Sequence, residues 1–241
     1  MSRDKKIAVF YYSQTGQLAD ILHSLLTPLV NKGCNVVYKR IEPLEPFPFP
    51  WTSDQFYDIF PESRAEVPFP LKPTDFSDIM DADLVVLGYQ PWFLAPSIPV
   101  ASFLREKETQ LYLSGRDVIA VGGTRNMWVS AIKSIKERLD EAGARLVGHM
   151  AFEDKHNNLV SVLTIFRWLI NNKKEATKYL PAAGVSPEDI RSASQYSKYV
   201  LSALEKSDYS ELRREIVASG GLRFSPNIYF IENNGDRKSV V

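Results

Sequence analysis

The chain has 241 residues, of which 44% are hydrophobic, and it is long enough for one large domain or for a smaller domain with an appendage. Its 29 basic and 29 acidic residues balance, so no net charge would draw it to nucleic acid or to an anionic membrane, and nucleic acid is not expected as a partner. The longest apolar stretch is shorter than the roughly 20 residues of a membrane span, so we expect no transmembrane segment. The charged start and the single cysteine favour a cytoplasmic protein.

Apolar runs rich in strand-forming residues predict five β-strands. Residues 7–11 are continuously apolar and are followed at once by turn residues, as is typical of a central parallel strand buried on both faces. The other predicted strands cover residues 35–41, 83–89, 117–122 and 145–152. Amphipathic helices are predicted over residues 18–31, 100–106 and 128–142. Strands that alternate with helices in this way predict a doubly wound α/β fold with a parallel sheet.

Residues 43–73 interrupt the alternation with an aromatic and proline-rich segment. The segment holds eight of the 15 prolines together with seven aromatic residues. Proline at this density is expected to exclude a long regular helix, whereas the aromatic content argues against a disordered linker. We therefore expect an ordered insertion that lies against the sheet or over a site.

The alternation stops near residue 156, which predicts an α/β domain over residues 1–155 and a mostly helical extension over 156–241 packed on it. Within the extension, Ser186 and Pro187 form a helix start, and a second helix is expected over 209–218. The apolar stretch 159–170 is expected to pack against the protein's own core or against a second subunit, which makes a homodimer plausible.

The turn after the first strand has the composition of a phosphate-binding loop. Two hydroxyl groups, a glycine that allows close backbone approach and the free N–H groups at a helix start come together there. The loop consists of Ser13, Gln14, Thr15, Gly16 and Gln17. It contains no lysine or arginine, so hydrogen bonds and the helix dipole would hold the anion.

Other nucleotide-binding and phosphate-accepting motifs do not fit this position. A dinucleotide loop needs Gly-x-Gly-x-x-Gly, and only Gly16 is present; a nucleoside-triphosphatase loop needs Gly-Lys-Ser/Thr. A receiver domain would place aspartate at the end of the third strand, where this chain has Tyr89 and Gln90. The three histidines lack the spacing of metal ligands, so no metal site is predicted.

The run Tyr-Tyr-Ser-Gln-Thr-Gly-Gln after an apolar first strand resembles the FMN phosphate loop of flavodoxins and flavodoxin-like reductases. The resemblance covers about residues 6–152 and implies a five-stranded sheet with strand order 2-1-3-4-5. Where the family commonly has a last threonine in this loop, the chain has Leu18, so one hydroxyl donor is missing.

Two further loops resemble the family's loops on either side of the flavin ring, and they complete the predicted cofactor-binding residues. The first contains Pro91, Trp92, Phe93 and Leu94, and the second contains Gly122, Gly123, Thr124, Arg125 and Asn126. Residues 157–159, 166–168 and 173–174 resemble a longer branch described as dialkylresorcinol condensing enzymes.

The resemblance implies an FMN-dependent oxidoreductase in which NAD(P)H reduces the flavin, which then reduces a quinone-like or other small acceptor. No catalytic acid or base is predicted. Three alternatives stay open: a flavodoxin-type electron carrier, a tailoring enzyme acting on an aromatic or polyketide-like metabolite, and a binding module that has lost its flavin, which Leu18 favours. Carriers of this family are usually short and acidic, whereas this chain is long and neutral, which weakens that alternative.

Overall fold

The protein was analysed as a computed structural model that describes residues 4–125, 127–155 and 158–223. The strands are β1 (Lys6–Tyr11), β2 (Asn35–Arg40), β3 (Leu84–Tyr89), β4 (Pro91–Trp92), β5 (Ala95–Pro96), β6 (Asp117–Thr124) and β7 (Arg145–Glu153). Five of them form a parallel sheet in the order β2-β1-β3-β6-β7, and β4 and β5 form a separate antiparallel hairpin. Since β6 and β7 are the fourth and fifth strands of the sheet, the predicted order 2-1-3-4-5 is confirmed.

Helices cover both faces of the sheet. In the described residues they are α1 (Gln17–Val30), α2 (Ser53–Arg64), α3 (Ile98–Phe103), α4 (Lys107–Leu113), α5 (Val129–Glu141), α6 (Asn158–Asn171), α7 (Pro187–Ser192), α8 (Ser197–Lys206) and α9 (Leu212–Ala218). Short 3-10 turns lie at Ser77–Ile79 and Ala193–Tyr196.

The side chains of β1 divide the core into two layers. Ile7 and Val9 face the layer that contains α1, whereas Ala8 and Phe10 face the layer that contains α3, α4 and α5. All four are fully buried, as expected for a central parallel strand. Burying a side chain such as Ile7 or Phe10 stabilises the fold by about 1.5–3 kcal/mol, so the continuous apolar run fixes β1 at the centre of the sheet.

A three-turn helix, α2, forms inside the proline-rich insertion. The expectation that proline excludes a long helix holds for the flanks but is wrong for these residues, because only Pro61 lies within the helix. A capping box starts α2: Gln55 N donates to Thr52 Oγ1 at 3.2 Å, and Thr52 N donates to Gln55 Oε1 at 3.0 Å. The ends of the insertion are joined where Leu44 N donates to Pro70 O at 2.9 Å.

The C-terminal helices complete the α1 side of the sheet. Val200 and Leu204 of α8 and Leu212 and Ile216 of α9 are buried in the same core as Ile7. The predicted division at residue 155 stays a prediction, and the structure adds that the last helices share one core with the sheet. Helix α6 is different, because it lies over the carboxyl ends of the strands.

Candidate functional site

A cavity of about 520 Å³ opens at the carboxyl ends of β1, β3 and β6. Ligand pockets in proteins commonly have volumes of about 300–1,000 Å³, and in open α/β sheets they lie at this edge. Strand-end loops supply one part of the lining: Gln14, Thr15, Gln17, Leu18, Gln90, Pro91, Trp92, Phe93, Leu94, Gly123, Thr124, Arg125 and Met127. The insertion and the C-terminal extension supply the rest: Trp51, Phe56, Tyr57, Phe60, Ile165, Phe166, Trp168, Leu169 and Gly184.

The loop after β1 turns sharply into α1. Gly16 has a φ of 85°, in the left-handed region that favours glycine, and α1 begins at the next residue. The first N–H groups of a helix have no partner within the helix. Ser13 is 5% exposed, and its Oγ has no hydrogen-bond partner among the described residues. A buried hydroxyl without a partner costs about 1–3 kcal/mol, so the loop has the donors that an anionic group would bind.

Two glutamine side chains attach this loop to the segments around it. Gln17 Nε2 donates to Val185 O at 2.9 Å, and Val185 N donates to Gln17 Oε1 at 3.0 Å. Gln14 Nε2 donates to Pro48 O at 2.9 Å. The loop is therefore fixed between the insertion and the C-terminal extension.

Arg40, at the end of β2, places a positive charge beside the loop after β1, which contains no charged residue of its own. Its Nη2 donates a long hydrogen bond of 3.5 Å to Ser13 O. The sequence interpretation missed this residue, because it considered only the loop itself. The signal would have been that β2 neighbours β1, so its last residue lies beside the loop.

The hairpin after β3 has a strained backbone at the cavity wall. Phe93 and Leu94, its two turn residues, have φ values of 48° and 72°. Residues other than glycine rarely adopt this left-handed backbone conformation. Helix α2 holds this turn: Ser63 Oγ donates to Trp92 O at 3.1 Å, and Arg64 Nη1 donates to Phe93 O at 3.2 Å. Non-glycine residues in such conformations persist where the surroundings fix them, often beside binding sites.

The end of β6, which the structure extends to Thr124, passes a buried tyrosine ring. A Cβ at Gly122 would lie 2.9 Å from Cζ of Tyr89, so only glycine fits there. Thr124 is 6% exposed, and its Oγ1 has no partner among the described residues. Arg125 lines the cavity, and burial lowers the pKa of its guanidinium, an effect that the charge of Asp154 partly offsets.

Beside the end of β6, Tyr89 and His149 form a buried pair. Tyr89 Oη and His149 Nε2 lie 2.8 Å apart, and the ring of Trp128 lies 5.0 Å from the imidazole. Burial lowers the pKa of His149 to about 3, with a smaller contribution from the charge of Arg213. The imidazole is therefore neutral at physiological pH and fixes the tyrosine ring over Gly122.

Helices α2 and α6 meet over the cavity. Trp51 N donates to Leu169 O at 2.7 Å, and the rings of Phe56 and Phe166 lie 4.9 Å apart. Phe56 also packs on Phe93, at 4.8 Å between ring centroids. These contacts join the insertion and α6, which both line the cavity.

Known proteins resemble the chain in structure but not in sequence. No family model and no curated protein matches it. A solved flavodoxin, WrbA-like protein from Agrobacterium tumefaciens has a TM-score of 0.50 at 9% identity, covering 84% of this chain and 99% of its own. The chain has the flavodoxin-like fold. A flavoprotein in complex with FMN from Lactobacillus acidophilus has a TM-score of 0.49 at 17% identity, covering 61% of this chain and 93% of its own. A flavodoxin from the domain Archaea has a TM-score of 0.48 at 12% identity, covering 83% of this chain and 99% of its own.

Most of the predicted site residues come together at one edge of this flavodoxin-like sheet, and their role in cofactor binding stays a prediction. Eleven of them line the cavity: Gln14, Thr15, Gln17, Leu18, Pro91, Trp92, Phe93, Leu94, Gly123, Thr124 and Arg125. Ser13, Gly16 and Gly122 support the loops without lining it, and Asn126 lies outside the described residues.

The sequence interpretation placed the insertion near a site but named none of its lining residues. Trp51, Phe56 and Phe60 lie at helical spacing or next to a helix start, which is the signal that could have identified them. In residues 4–125, 127–155 and 158–223, no cluster of three metal-ligating side chains occurs, and no helix is long and apolar enough to cross a membrane.

Proposed function

We propose that the chain is an FMN-dependent oxidoreductase that uses NAD(P)H as electron donor and a quinone-like or other small molecule as acceptor. The observation that carries the proposal is that two of the buried hydroxyl groups without a partner among the described residues, Ser13 Oγ and Thr124 Oγ1, lie at the edge of the sheet where the cavity opens, one in the loop after β1 and the other at the end of β6. Native proteins seldom leave such groups unpaired, so a ligand with hydrogen-bonding groups fits between these loops.

The cavity's residues fit the parts of FMN. Ser13, Thr15 and the N-terminus of α1 would hold the phosphate, where several hydrogen bonds of about 1.5–3 kcal/mol each and a dipole contribution of about 0.3–2 kcal/mol are available. The hairpin around Trp92 and the loop around Thr124 would border the ring. The resemblance of the Tyr-Tyr-Ser-Gln-Thr-Gly-Gln run to the FMN phosphate loop of flavodoxins supports the choice of cofactor.

When bound, FMN supplies the chemistry that accepts a hydride from NAD(P)H and passes two electrons to a second substrate. The net reaction with a quinone converts NAD(P)H, the quinone and one proton into NAD(P)+ and the hydroquinone. The protein's own contribution is to position both substrates and exclude water. The aromatic side chains of Trp51, Phe56 and Phe166 line the cavity, and a planar acceptor would stack on them.

The wall formed by α2 and α6 favours a small acceptor over a protein partner. An electron carrier needs an exposed edge of the cofactor where another protein can dock, whereas here two helices lie over the cavity. A module without flavin is the second candidate, because Leu18 is 2% exposed and places an apolar side chain where a hydroxyl would help to bind the phosphate.

The first test is whether the purified protein is yellow, releases FMN on denaturation and consumes NAD(P)H faster when a quinone is added. Gly16→Ala and Gly33→Ala form a matched pair, since both glycines have φ near 90° and open space around a Cβ. We expect Gly16→Ala to lose FMN and Gly33→Ala to retain it. A colourless protein that takes up no added FMN would refute the proposal.

A further inference from the structure

Arg125 is the only charged side chain among the described residues that line the cavity. Around it the lining is mostly aromatic and aliphatic, including Phe56, Phe93 and Phe166. A charge in such surroundings is costly unless an opposite charge or good hydrogen-bond acceptors compensate it. The presence of Arg125 therefore needs an explanation in terms of a partner.

The protein provides little compensation for this guanidinium. A guanidinium has five N–H donors, yet the hydrogen bond found for Arg125 in the described part of the chain is to the weak acceptor Met127 Sδ, at 3.5 Å. Asp154 acts on it through its charge, but burial is the larger effect on its pKa. The donors are thus available to a ligand.

The FMN phosphate is not the natural partner of Arg125. The phosphate loop follows β1, whereas Arg125 follows β6, and β3 lies between these strands. Neighbouring strands are about 4.8 Å apart, so the two strand ends are separated by about 10 Å. Arg125 therefore follows a strand that is not the neighbour of β1, and it lines the same cavity as the aromatic side chains.

We propose that Arg125 binds an anionic group on the electron acceptor, which is a planar aromatic or quinoid molecule carrying a carboxylate or similar anion. The assignment rests on the proposed function, and it adds a substrate class to it. A flat ring fits between the aromatic side chains, and the fork of N–H donors fits a carboxylate with two parallel hydrogen bonds. The neutral ring edge of a bound flavin is the competing partner, and the experiment separates the two.

The kinetic test compares a naphthoquinone sulfonate with its unsulfonated parent, using NAD(P)H as donor. We expect Arg125→Gln to lower kcat/KM for the sulfonate relative to the parent by about 10- to 100-fold, as the loss of a charge-assisted hydrogen bond implies. Arg125→Lys should restore part of the preference. Arg214→Gln is the control, since this arginine is 79% exposed and lies on α9, away from the cavity.

Two further readouts accompany the kinetics. The FMN-to-protein ratio of Arg125→Gln should equal that of the unsubstituted protein. Tryptophan fluorescence of the flavin-free protein should be quenched by naphthalene sulfonate, and Arg125→Gln should weaken that binding about tenfold while leaving binding of neutral naphthalene methanol unchanged.

The outcomes are distinct. If the sulfonate and the parent lose kcat/KM equally, or if Arg125→Gln loses FMN, the arginine serves the fold or the flavin and the inference is overturned. If the unsubstituted protein takes up no FMN, the proposed function fails, and the fluorescence titration alone decides whether Arg125 selects an anion. Equal binding of naphthalene sulfonate to both proteins would then overturn the inference as well.

Discussion

The side-chain amide of Gln17 forms two hydrogen bonds with the backbone of Val185, one as donor at 2.9 Å and one as acceptor at 3.0 Å. Gln17 is the first residue of α1 and the last residue of the loop that follows β1, and Val185 lies 168 residues later in the C-terminal extension. The Gln17 amide and the Val185 backbone are both buried, so their two hydrogen bonds join two distant segments as a pair of strand-to-strand hydrogen bonds would. The stability of the extension and the shape of the phosphate loop are therefore coupled.

Replacing Gln17 by alanine should uncouple them. The substitution leaves the N–H and C=O of Val185 buried without a partner, so we expect a loss of about 2 kcal/mol in the free energy of unfolding. Urea titration followed by tryptophan fluorescence measures it. Gln14→Ala is the control, because Gln14 makes one exposed hydrogen bond, to Pro48 O, and should cost less than about 1 kcal/mol. If both variants lost the same free energy of unfolding, the buried hydrogen bonds of Gln17 would stabilise the protein no more than the exposed one of Gln14.

Gly184, next to Val185, should be more sensitive to substitution than other glycines with positive φ. An added Cβ would lie 2.6 Å from Gln17 Oε1 and 3.0 Å from Trp168 Cζ3, and the φ of 82° is itself unfavourable for alanine. Gly220 has the same φ of 82° and nothing near a Cβ, so Gly220→Ala reports the backbone strain alone, about 1 kcal/mol. We expect Gly184→Ala to destabilise the protein by at least about 1 kcal/mol more, measured by urea titration. A similar loss in both variants would argue against tight packing between the extension and the loop.

The sequence was sufficient to predict the sheet and the strand-end loops, because both depend on local signals. The apolar run from Ile7 and the glycine at position 16 set a buried strand and a left-handed turn within ten residues. Gly33 and Gly143 are local signals of the same kind, because each has a positive φ in the turn that follows a helix, α1 and α5 respectively.

The sequence predicts an insertion that lies against the sheet or over a site, but it does not predict how this insertion meets α6, because that depends on contacts between distant segments. The apolar residues of α6 show that one face will be buried, but not that Leu169 O would accept a hydrogen bond from Trp51 N, more than a hundred residues earlier. The lack of partners for Ser13 Oγ and Thr124 Oγ1 is likewise a property of the folded chain. In α2, the sequence-based expectation gave too much weight to proline content and too little to its position relative to Thr52.

Removing Ser13 Oγ and Thr124 Oγ1, two of the buried hydroxyl groups without a partner among the described residues, should separate ligand binding from stability. In the flavin-free protein, Ser13→Ala and Thr124→Val remove buried polar groups that have no partner, so the free energy of unfolding should stay equal or rise by up to about 1 kcal/mol. If these groups bind FMN, each variant should raise the dissociation constant for FMN by about 5- to 10-fold, measured by flavin fluorescence quenching. Ser210→Ala, at the exposed start of the last turn before α9, is the control. Unchanged FMN affinity in both variants would remove the main support for the site.

The buried imidazole of His149 should make the protein less stable in mild acid. Its pKa is lowered by burial from 6.5 to about 3, so between these values the unfolded chain binds a proton that the folded chain does not. The stabilisation is complete above pH 6.5 and is lost as the pH falls, by about 1.4 kcal/mol for each unit and about 2 kcal/mol between pH 7 and pH 5. Burial raises the pKa of Glu153, which acts in the opposite direction but is common to all variants. Urea titrations at both pH values should show this loss in the unsubstituted protein and in His23→Gln, whose imidazole is exposed, and a smaller loss in His149→Gln. If His149→Gln keeps the full pH dependence, another group is responsible for it, and the imidazole is protonated in the folded protein.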